Sequence, residues 1–333
     1  LQHLASKVQL EAKRSFVAEA LRRIGRREVP DPPIAPSPIH WRYRTKITLG
    51  VRNGVVGLHR YDSPQEVFPL GDCLIAREAL MGLWRRLQDH RSALPAGAGS
   101  VALKQDRSGG LHVVVCGGEP PWDPEPLGRA LGDERVSLWW QPGGGAPRVV
   151  RGERGGFPAL AFEQINPQLA VRIREQAVEW LGEVAGSVVW DLYCGVGDTA
   201  ILLAERGARV YGVDADRQAI EWARREHRAR SGAVEFIYGL VEESLHRLPE
   251  PDGVVANPPR RGMHALVTRE LERWARRKRD AGAPIRLCYV SCDPATLARD
   301  IARLPSLDLL GLKAFDLFPQ TSHVETVALL GWG

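Results

Sequence analysis

Between Ser187 and Ser291 the chain repeats one pattern: a short apolar run, a turn, and in most cases a stretch of helical periodicity before the next run. The runs are Ser187-Val-Val-Trp-Asp-Leu-Tyr, Arg209-Val-Tyr-Gly-Val-Asp, Val234-Glu-Phe-Ile-Tyr, Gly253-Val-Val-Ala-Asn and Arg286-Leu-Cys-Tyr-Val-Ser. A strand that is apolar throughout is covered on both faces, and strands that alternate with helices are joined by crossovers. The pattern therefore predicts a parallel, doubly wound α/β sheet. Two further strand-like runs close the chain, Leu309 to Phe318 and His323 to Trp332, separated by Pro319. They can pair as an antiparallel hairpin at one edge.

The front of the chain has a different texture. Leu10, Val17, Leu21 and Ile24 recur at helical spacing, with Lys13, Arg14, Arg22, Arg23, Arg26 and Arg27 assigned to other faces, so a basic amphipathic helix is expected. It stops at Pro30-Asp-Pro-Pro, and the Pro-rich stretch to Pro38 reads as a linker. Strand-like runs follow at Thr45 to Leu49, Gly54 to Leu58, Val113 to Cys116 and Val136 to Trp140. Loop-like Gly143-Gly-Gly-Ala-Pro and Arg151-Gly-Glu-Arg-Gly-Gly mark the approach to a boundary. The expected division is a smaller α+β domain over 1–158, opening with the basic helix, and an α/β domain over 159–333. Internal repeats and low-complexity tracts are absent from the sequence.

Composition narrows the class. With 333 residues, 44% hydrophobic and 26% charged, the chain is an ordinary globular one of two-domain size. No apolar run approaches the ~20 residues of a membrane span, and the first residues lack the order of a signal peptide, so a cytoplasmic protein without a membrane partner is expected. Five cysteines, odd in number and widely spaced, fit a reducing compartment. The first residue is not Met, from which a longer native polypeptide is expected. The net charge of +5 is concentrated at the front: residues 1–60 hold 12 Lys and Arg against 4 Asp and Glu. Such a patch suits a polyanion, nucleic acid above all, although a solvated helix face has the same composition.

Four motifs carry chemistry. Asp191-Leu-Tyr-Cys-Gly-Val-Gly-Asp-Thr-Ala200 lies where the first strand turns into a helix, and Asp214 ends the next strand, where a carboxylate can accept from both hydroxyls of a ribose. Gly195, Gly197 and Ala200 also satisfy the dinucleotide fingerprint, with Asp214 at the expected offset of about 20 residues, so an NAD-dependent oxidoreductase is a rival reading. Asn257-Pro-Pro-Arg-Arg-Gly262 follows the fourth strand, at the carboxyl edge where open α/β sheets bind ligands, and its amide suits the edge of a nucleobase. Ser291-Cys292-Asp-Pro ends the fifth strand; a thiolate there can attack carbon 6 of a pyrimidine and turn carbon 5 into a nucleophile. A lone cysteine is more often a structural one, which is how Cys288 reads. As metal ligands Cys288 and Cys292 would stand ~13 Å apart on an extended strand, which rejects a metal there. His323-Val-Glu325-Thr-Val places a carboxylate in an apolar strand, where it is exposed, paired or, with a raised pKa, a general base.

Taken together, Phe162-Glu-Gln-Ile-Asn-Pro, Asp191-Leu-Tyr-Cys-Gly-Val-Gly, Asn257-Pro-Pro-Arg-Arg-Gly, Ser291-Cys-Asp-Pro-Ala-Thr-Leu-Ala-Arg-Asp and Asp316-Leu-Phe-Pro-Gln-Thr-Ser-His-Val-Glu resemble the RNA 5-methyluridine methyltransferase family over residues 160–333, most closely its 23S ribosomal RNA branch. The resemblance implies a class I methyltransferase fold, S-adenosylmethionine as cofactor, a monomer, and ribosomal rather than transfer RNA as substrate. It implies cofactor contacts from Gln164, Tyr193, Gly195, Gly197, Asp198, Asp214 and Asn257, with Asn257 also facing the uracil. Cys292 would attack carbon 6, Glu325 would remove the carbon 5 proton, and Arg260 would support the site. Many members carry Asp where this chain has Asn257, and Asn where it has Asp198. At the front, Gln2-His-Leu and Gln9-Leu-Glu-Ala-Lys resemble the helix that follows an iron-sulfur motif, and Asp72-Cys73 its distant fourth ligand; a [4Fe-4S] cluster would need three more cysteines ahead of Leu1. Arg42-Tyr-Arg44-Thr-Lys46 resembles a basic strand that contacts RNA phosphates. Besides the dehydrogenase, a non-catalytic RNA-binding protein of the same fold is the alternative.

Overall fold

The structure is a computed structural model that describes residues 2–332 apart from 133–135, 153–156, 159 and 231. The loop expected from Arg151 to Gly156, and the boundary position 159, fall largely outside the described residues. The chain divides into two units, Leu1–Pro38 with Leu160–Gly333, and Ile39–Ala159.

The first unit opens with helix α1 (Ser6–Arg23) and the short strand β1 (Ile34–Ala35). The chain then builds the second unit from β2 (Lys46–Arg52), β3 (Val55–His59), β4 (Val67–Pro69), helix α2 (Glu78–Asp89), β5 (Ala98–Gln105), β6 (Leu111–Gly117), helix α3 (Glu125–Leu131), β7 (Val136–Gln141) and β8 (Arg148–Arg151). These strands form one sheet in the order β4-β3-β2-β5-β6-β7-β8, antiparallel except for the β6–β7 pair. In β2 inward Ile47 and Leu49 alternate with outward Lys46 and Thr48, as expected for a sheet with one covered face. The cover is α2, whose Leu80, Met81, Leu83, Trp84 and Leu87 are all buried. The Trp84 indole N–H donates to the Leu70 carbonyl at 2.8 Å, satisfying the polar end of a fully buried ring.

The remainder returns to the first unit: α4 (Pro167–Leu181), β9 (Val188–Leu192), α5 (Asp198–Glu205), β10 (Arg209–Asp214), α6 (Arg217–Glu226), β11 (Val234–Tyr238), α7 (Val241–Ser244), β12 (Gly253–Ala256), α8 (Ala265–Asp280), β13 (Ile285–Ser291), α9 (Pro294–Ala302), β14 (Asp308–Phe315) and β15 (Glu325–Trp332). The five apolar runs of the sequence are β9 to β13. Their sheet has the order β1-β14-β15-β13-β12-β9-β10-β11, parallel throughout except that β15 runs against both of its neighbours. The expected tail hairpin forms, but the outermost place belongs to β1, which pairs in parallel with β14. Strand order reverses between β9 and β12, where crevices at the carboxyl ends of such sheets open.

Residues 1–38 therefore belong with the α/β sheet, where the expected division had placed them in the front domain. The reason is packing: Val17, Ala20 and Leu21 lie in the same core as Trp190, Leu287, Leu297 and Ala314, and Ala314 and Asp316 donate backbone bonds to Pro33 and Ala35. Lys13 departs from its expected place on a basic face. It is 2% exposed and ion-paired with Asp316. Among the described residues no helix is long and apolar enough to cross a membrane.

Candidate active site

The loops at the carboxyl ends of β9, β10, β12 and β13 hold the motifs, because parallel strands point all these ends the same way. The β9–α5 turn is built by left-handed residues, Tyr193 (φ 62°), Gly195 (φ 55°) and Gly197 (φ 83°). At Gly195 a Cβ would meet nothing within 4 Å, so the backbone is open to a ligand. At Gly197 a Cβ would come within 2.4 Å of the Phe236 ring, so glycine is required by packing as well as by φ. Asp214 closes the turn: its carboxylate accepts from the Gly195 N–H at 2.8 Å and the Asp216 N–H at 2.7 Å. Each carboxylate oxygen retains a lone pair for a further donor.

Three carboxylates surround this turn. Asp191 is 1% exposed and one of its oxygens has no hydrogen-bond partner among the described residues; burial, then the neighbouring Asp214 and Asp198, push it up to about 8, against a bond from Ala200. Burial also raises Asp214. Asp198, the first residue of α5, stands 3.5 Å from Arg174. Tyr193 packs its ring against the apolar core and buries its hydroxyl, which burial pushes up to about 12.

Asn257, Cys292 and Glu325 are brought together by sheet register. The Asn257 N–H donates to the Leu192 carbonyl at 3.1 Å, tying its loop to the end of β9. Ser291 pairs with Thr326 across β13 and β15, and extending that antiparallel register by one residue sets Cys292 opposite Glu325. Glu325 is 1% exposed, with one oxygen accepting from Gln164 Nε2 at 3.3 Å and the other without a partner among the described residues. Burial pushes its carboxyl up to about 8, opposed by the Gln164 bond and the Arg260 charge. Burial and then the charge of Glu325 push the Cys292 thiol up to about 11, and Arg260 opposes both through its charge and a side-chain hydrogen bond. A thiol, a buried carboxyl and a cation thus lie close enough to shift one another's ionisation. Cys288 is fully buried, and burial pushes its thiol far up, as a structural cysteine requires.

Helix α9 starts immediately after Cys292, capped by Asp293, which accepts from the Thr296 N–H at 2.9 Å. It also holds the loop that bears Arg260. Thr296 Oγ1 donates to the Arg260 carbonyl at 3.0 Å and Arg299 to the Arg261 carbonyl at 2.7 Å. Asp300, with no exposed surface, accepts from the Met263 N–H and the Tyr289 hydroxyl, both at 2.8 Å, and from Arg299. Gly262 has φ 79°, and a Cβ there would come within 2.3–2.4 Å of Thr296, Arg299 and Asp300. Asp300 ends the motif that begins at Ser291, and the motif by itself does not reveal this role. The signal was a carboxylate on the buried stripe of Leu297 and Ile301.

In the second unit, Arg42 is engaged in contacts within the protein. It has φ 52°, donates to both Asp72 oxygens at 3.0 and 2.7 Å, and donates again to the Cys73 and Ala76 carbonyls. Arg44 Nε donates to the Lys46 carbonyl, whereas Lys46 itself is exposed at the start of β2. The described residues contain no group of three or more His, Cys, Asp or Glu able to hold a metal ion, so Cys73 and its neighbours do not by themselves fit a cluster.

Residues 189–281 match the family described as Methyltransferase domain. The chain is similar to an uncharacterized RNA methyltransferase of Nitratidesulfovibrio vulgaris, at 30% identity over 99% of this chain and 79% of the relative. It is similar to the 23S rRNA (uracil(1939)-C(5))-methyltransferase RlmD of Aromatoleum aromaticum, at 29% identity over 99% of this chain and 82% of the relative. Among solved structures it is similar to the Pyrococcus abyssi tRNA (uracil-54, C5)-methyltransferase in complex with S-adenosyl-L-homocysteine, at 26% identity and a TM-score of 0.72, covering 99% of this chain and 84% of that one.

Proposed function

Because the chain belongs to the RNA (uracil-C5-)-methyltransferase family, we propose that it methylates carbon 5 of a uridine in RNA through a covalent bond between Cys292 and carbon 6. The observation that carries this reading is the register of β13 and β15, which places a thiol and a buried carboxylate opposite one another with Arg260 acting on both.

Residues around the β9–α5 turn fit S-adenosylmethionine better than a dinucleotide. A pyrophosphate would lie at the start of α5, where Asp198 stands, with Asp191 near enough that the charges of Asp214 and Asp198 raise its pKa. A sulfonium and an ammonium suit that field. Asp214 would accept from the ribose hydroxyls, and the open backbone at Gly195 would lie along the cofactor. When bound, the cofactor supplies an electrophilic methyl group to carbon 5.

The protein's residues do the rest. Cys292, having lost its thiol proton to solvent, adds as the thiolate to carbon 6, and the electron pair of the 5,6 double bond moves to carbon 5 and the carbon 4 carbonyl. Asn257 offers its amide to the uracil edge, accepting from N3–H and donating to O4. Once carbon 5 carries both the methyl group and its original proton, Glu325 takes that proton. The electrons re-form the double bond and expel the thiolate. Ribosomal RNA is the proposed substrate class, supported by the Asn257-Pro-Pro-Arg-Arg-Gly motif, which resembles the 23S ribosomal RNA branch of the family.

The test is transfer of label from tritiated methyl-S-adenosylmethionine to unmodified ribosomal RNA. Cys292→Ala is expected to lose turnover by at least a thousandfold and to form no covalent protein–RNA species. Glu325→Gln is expected to accumulate methylated RNA bound to Cys292 as a denaturation-resistant band. Turnover by Cys292→Ala at the wild-type rate would overturn the mechanism.

A further inference from the structure

We propose that Gln9 and Lys13 on α1 are positioning residues for the base: they hold Asp316–Gln320 in the one backbone arrangement that sets Glu325 beside Cys292. The inference rests on the function proposed above, in that it gives Glu325 its role.

Lys13 is 2% exposed, and its ammonium donates to Asp316 Oδ1 at 2.5 Å and to the Phe318 carbonyl at 3.0 Å. Burial lowers the pKa of Lys13 and the Asp316 charge pulls it back. A buried ion pair is a poor source of net stability, since the desolvation of both ions offsets their attraction and apolar replacements are often neutral. What it does supply is directionality: two fixed partners, two residues apart, define one path for the chain between them. One turn earlier on the same helix face, Gln9 makes a reciprocal pair with Gln320. Gln9 Nε2 donates to Gln320 Oε1 at 2.9 Å, and the Gln320 N–H donates to Gln9 Oε1 at 3.1 Å. Gln320 has φ 67°, a left-handed conformation that is strained for a non-glycine residue and persists only where the surroundings impose it.

The held segment joins directly to the base. Asp316 follows Phe315, the register partner of Glu325 in β14, and its N–H is fixed by the Ala35 carbonyl. On the other side Asn166 donates to the Leu317 carbonyl at 3.4 Å, two residues beyond the Gln164 that bonds Glu325. The helix is anchored independently, by Val17, Ala20 and Leu21 in the core and by Arg27 donating to the Leu307 carbonyl at 2.8 Å. Helix α1 thus restrains a turn about 300 residues away in sequence, and the effect of loosening it falls on proton removal, not on attack by Cys292.

The test uses Gln9→Ala and the double variant Lys13→Met with Asp316→Leu, the latter chosen so that no charge is left buried alone. RNA containing 5-fluorouridine traps the covalent species without any need for Glu325, because the fluorine cannot leave as a proton does. Both variants are expected to form that trapped species within twofold of the wild-type rate. On ordinary RNA they are expected to turn over at least tenfold more slowly, with the covalent species accumulating. Amide exchange over 316–324 is expected to quicken at least tenfold while β13 is unchanged. Wild-type turnover, equal slowing of attack and release, or unchanged exchange would each overturn the proposal. If the wild type itself forms no trapped species, the covalent chemistry fails, and the exchange measurement alone decides whether α1 holds the segment.

Discussion

Glu325 begins a strand in which it and the next six residues are all buried, and its burial has a consequence for stability as well as for chemistry. A carboxyl raised from 4.5 to about 8 by desolvation is protonated preferentially in the folded state. Folding therefore takes up a proton between those values: the contribution is complete below pH 4.5 and is lost as pH rises to about 8. Glu325→Gln, neutral throughout, is expected to melt increasingly above the wild type as pH goes from 5 to 8.5, by about 2–4 °C for each kcal/mol recovered; calorimetry at the two pH values checks the sign. Turnover is expected to rise with pH over the same range, since only the ionised carboxylate can accept the carbon 5 proton. Cys292, Glu325, Asn257 and Asp214 were legible in the sequence because each ends or begins an apolar run, where a polar group stands out. Lys13 was not. It lies on the stripe Gln9, Lys13, Val17 and Leu21, spaced by four, so the polar residues there continue an apolar face.

Helix α9 carries its function as an element. Its first turn fixes the residue after Cys292 and holds the carbonyl of Arg260, and its second turn holds the carbonyl of Arg261 and the N–H of Met263. The Cys292 thiol and the Arg260 loop are thereby set by one rigid element. Arg299→Ala removes the bond to Arg261 and one of the two arginines that pair with buried Asp300, the other being Arg303. A hydrogen bond to a charged group contributes about 1.5–3 kcal/mol, or roughly 10- to 100-fold in rate if it is lost in the transition state. The expected outcome is a fall of that size in kcat with the dissociation constant for S-adenosylmethionine within twofold of wild type, read by initial rates and calorimetric titration. A large change in cofactor affinity would instead place the loop's role in cofactor binding. Strand runs and the Asp293-Pro helix start were visible in sequence through periodicity and capping. The bonds from α9 back to the preceding loop were not, because they join residues 36 to 38 positions apart.

At the scale of the whole chain, the basic front divides between the two units. Through Pro38 there are seven Lys and Arg against four Asp and Glu, and from Ile39 to Arg60 five against none. Several of the first group are spent internally, Lys13 on Asp316, Arg22 on Asp31 and Arg23 on Glu19. RNA binding is expected to weaken steeply with salt, and Lys46→Ala is expected to reduce the slope of log K against log salt by about one. Arg42→Ala is expected to leave that slope unchanged and to lower the melting temperature, since its guanidinium is committed to Asp72; filter binding across a salt series separates the two. Sequence alone determined the α/β sheet, its carboxyl-edge motifs and which residues are candidates for the chemistry, because apolar strand runs and the residues that interrupt them are local properties of the chain. Tertiary structure alone decided which unit α1 joins, which cations are spent, and how Cys292 meets Glu325. Those outcomes depend on strand register and on ion pairs between residues up to 303 positions apart, whose energies come from burial and pairing, quantities that exist only once the core has closed.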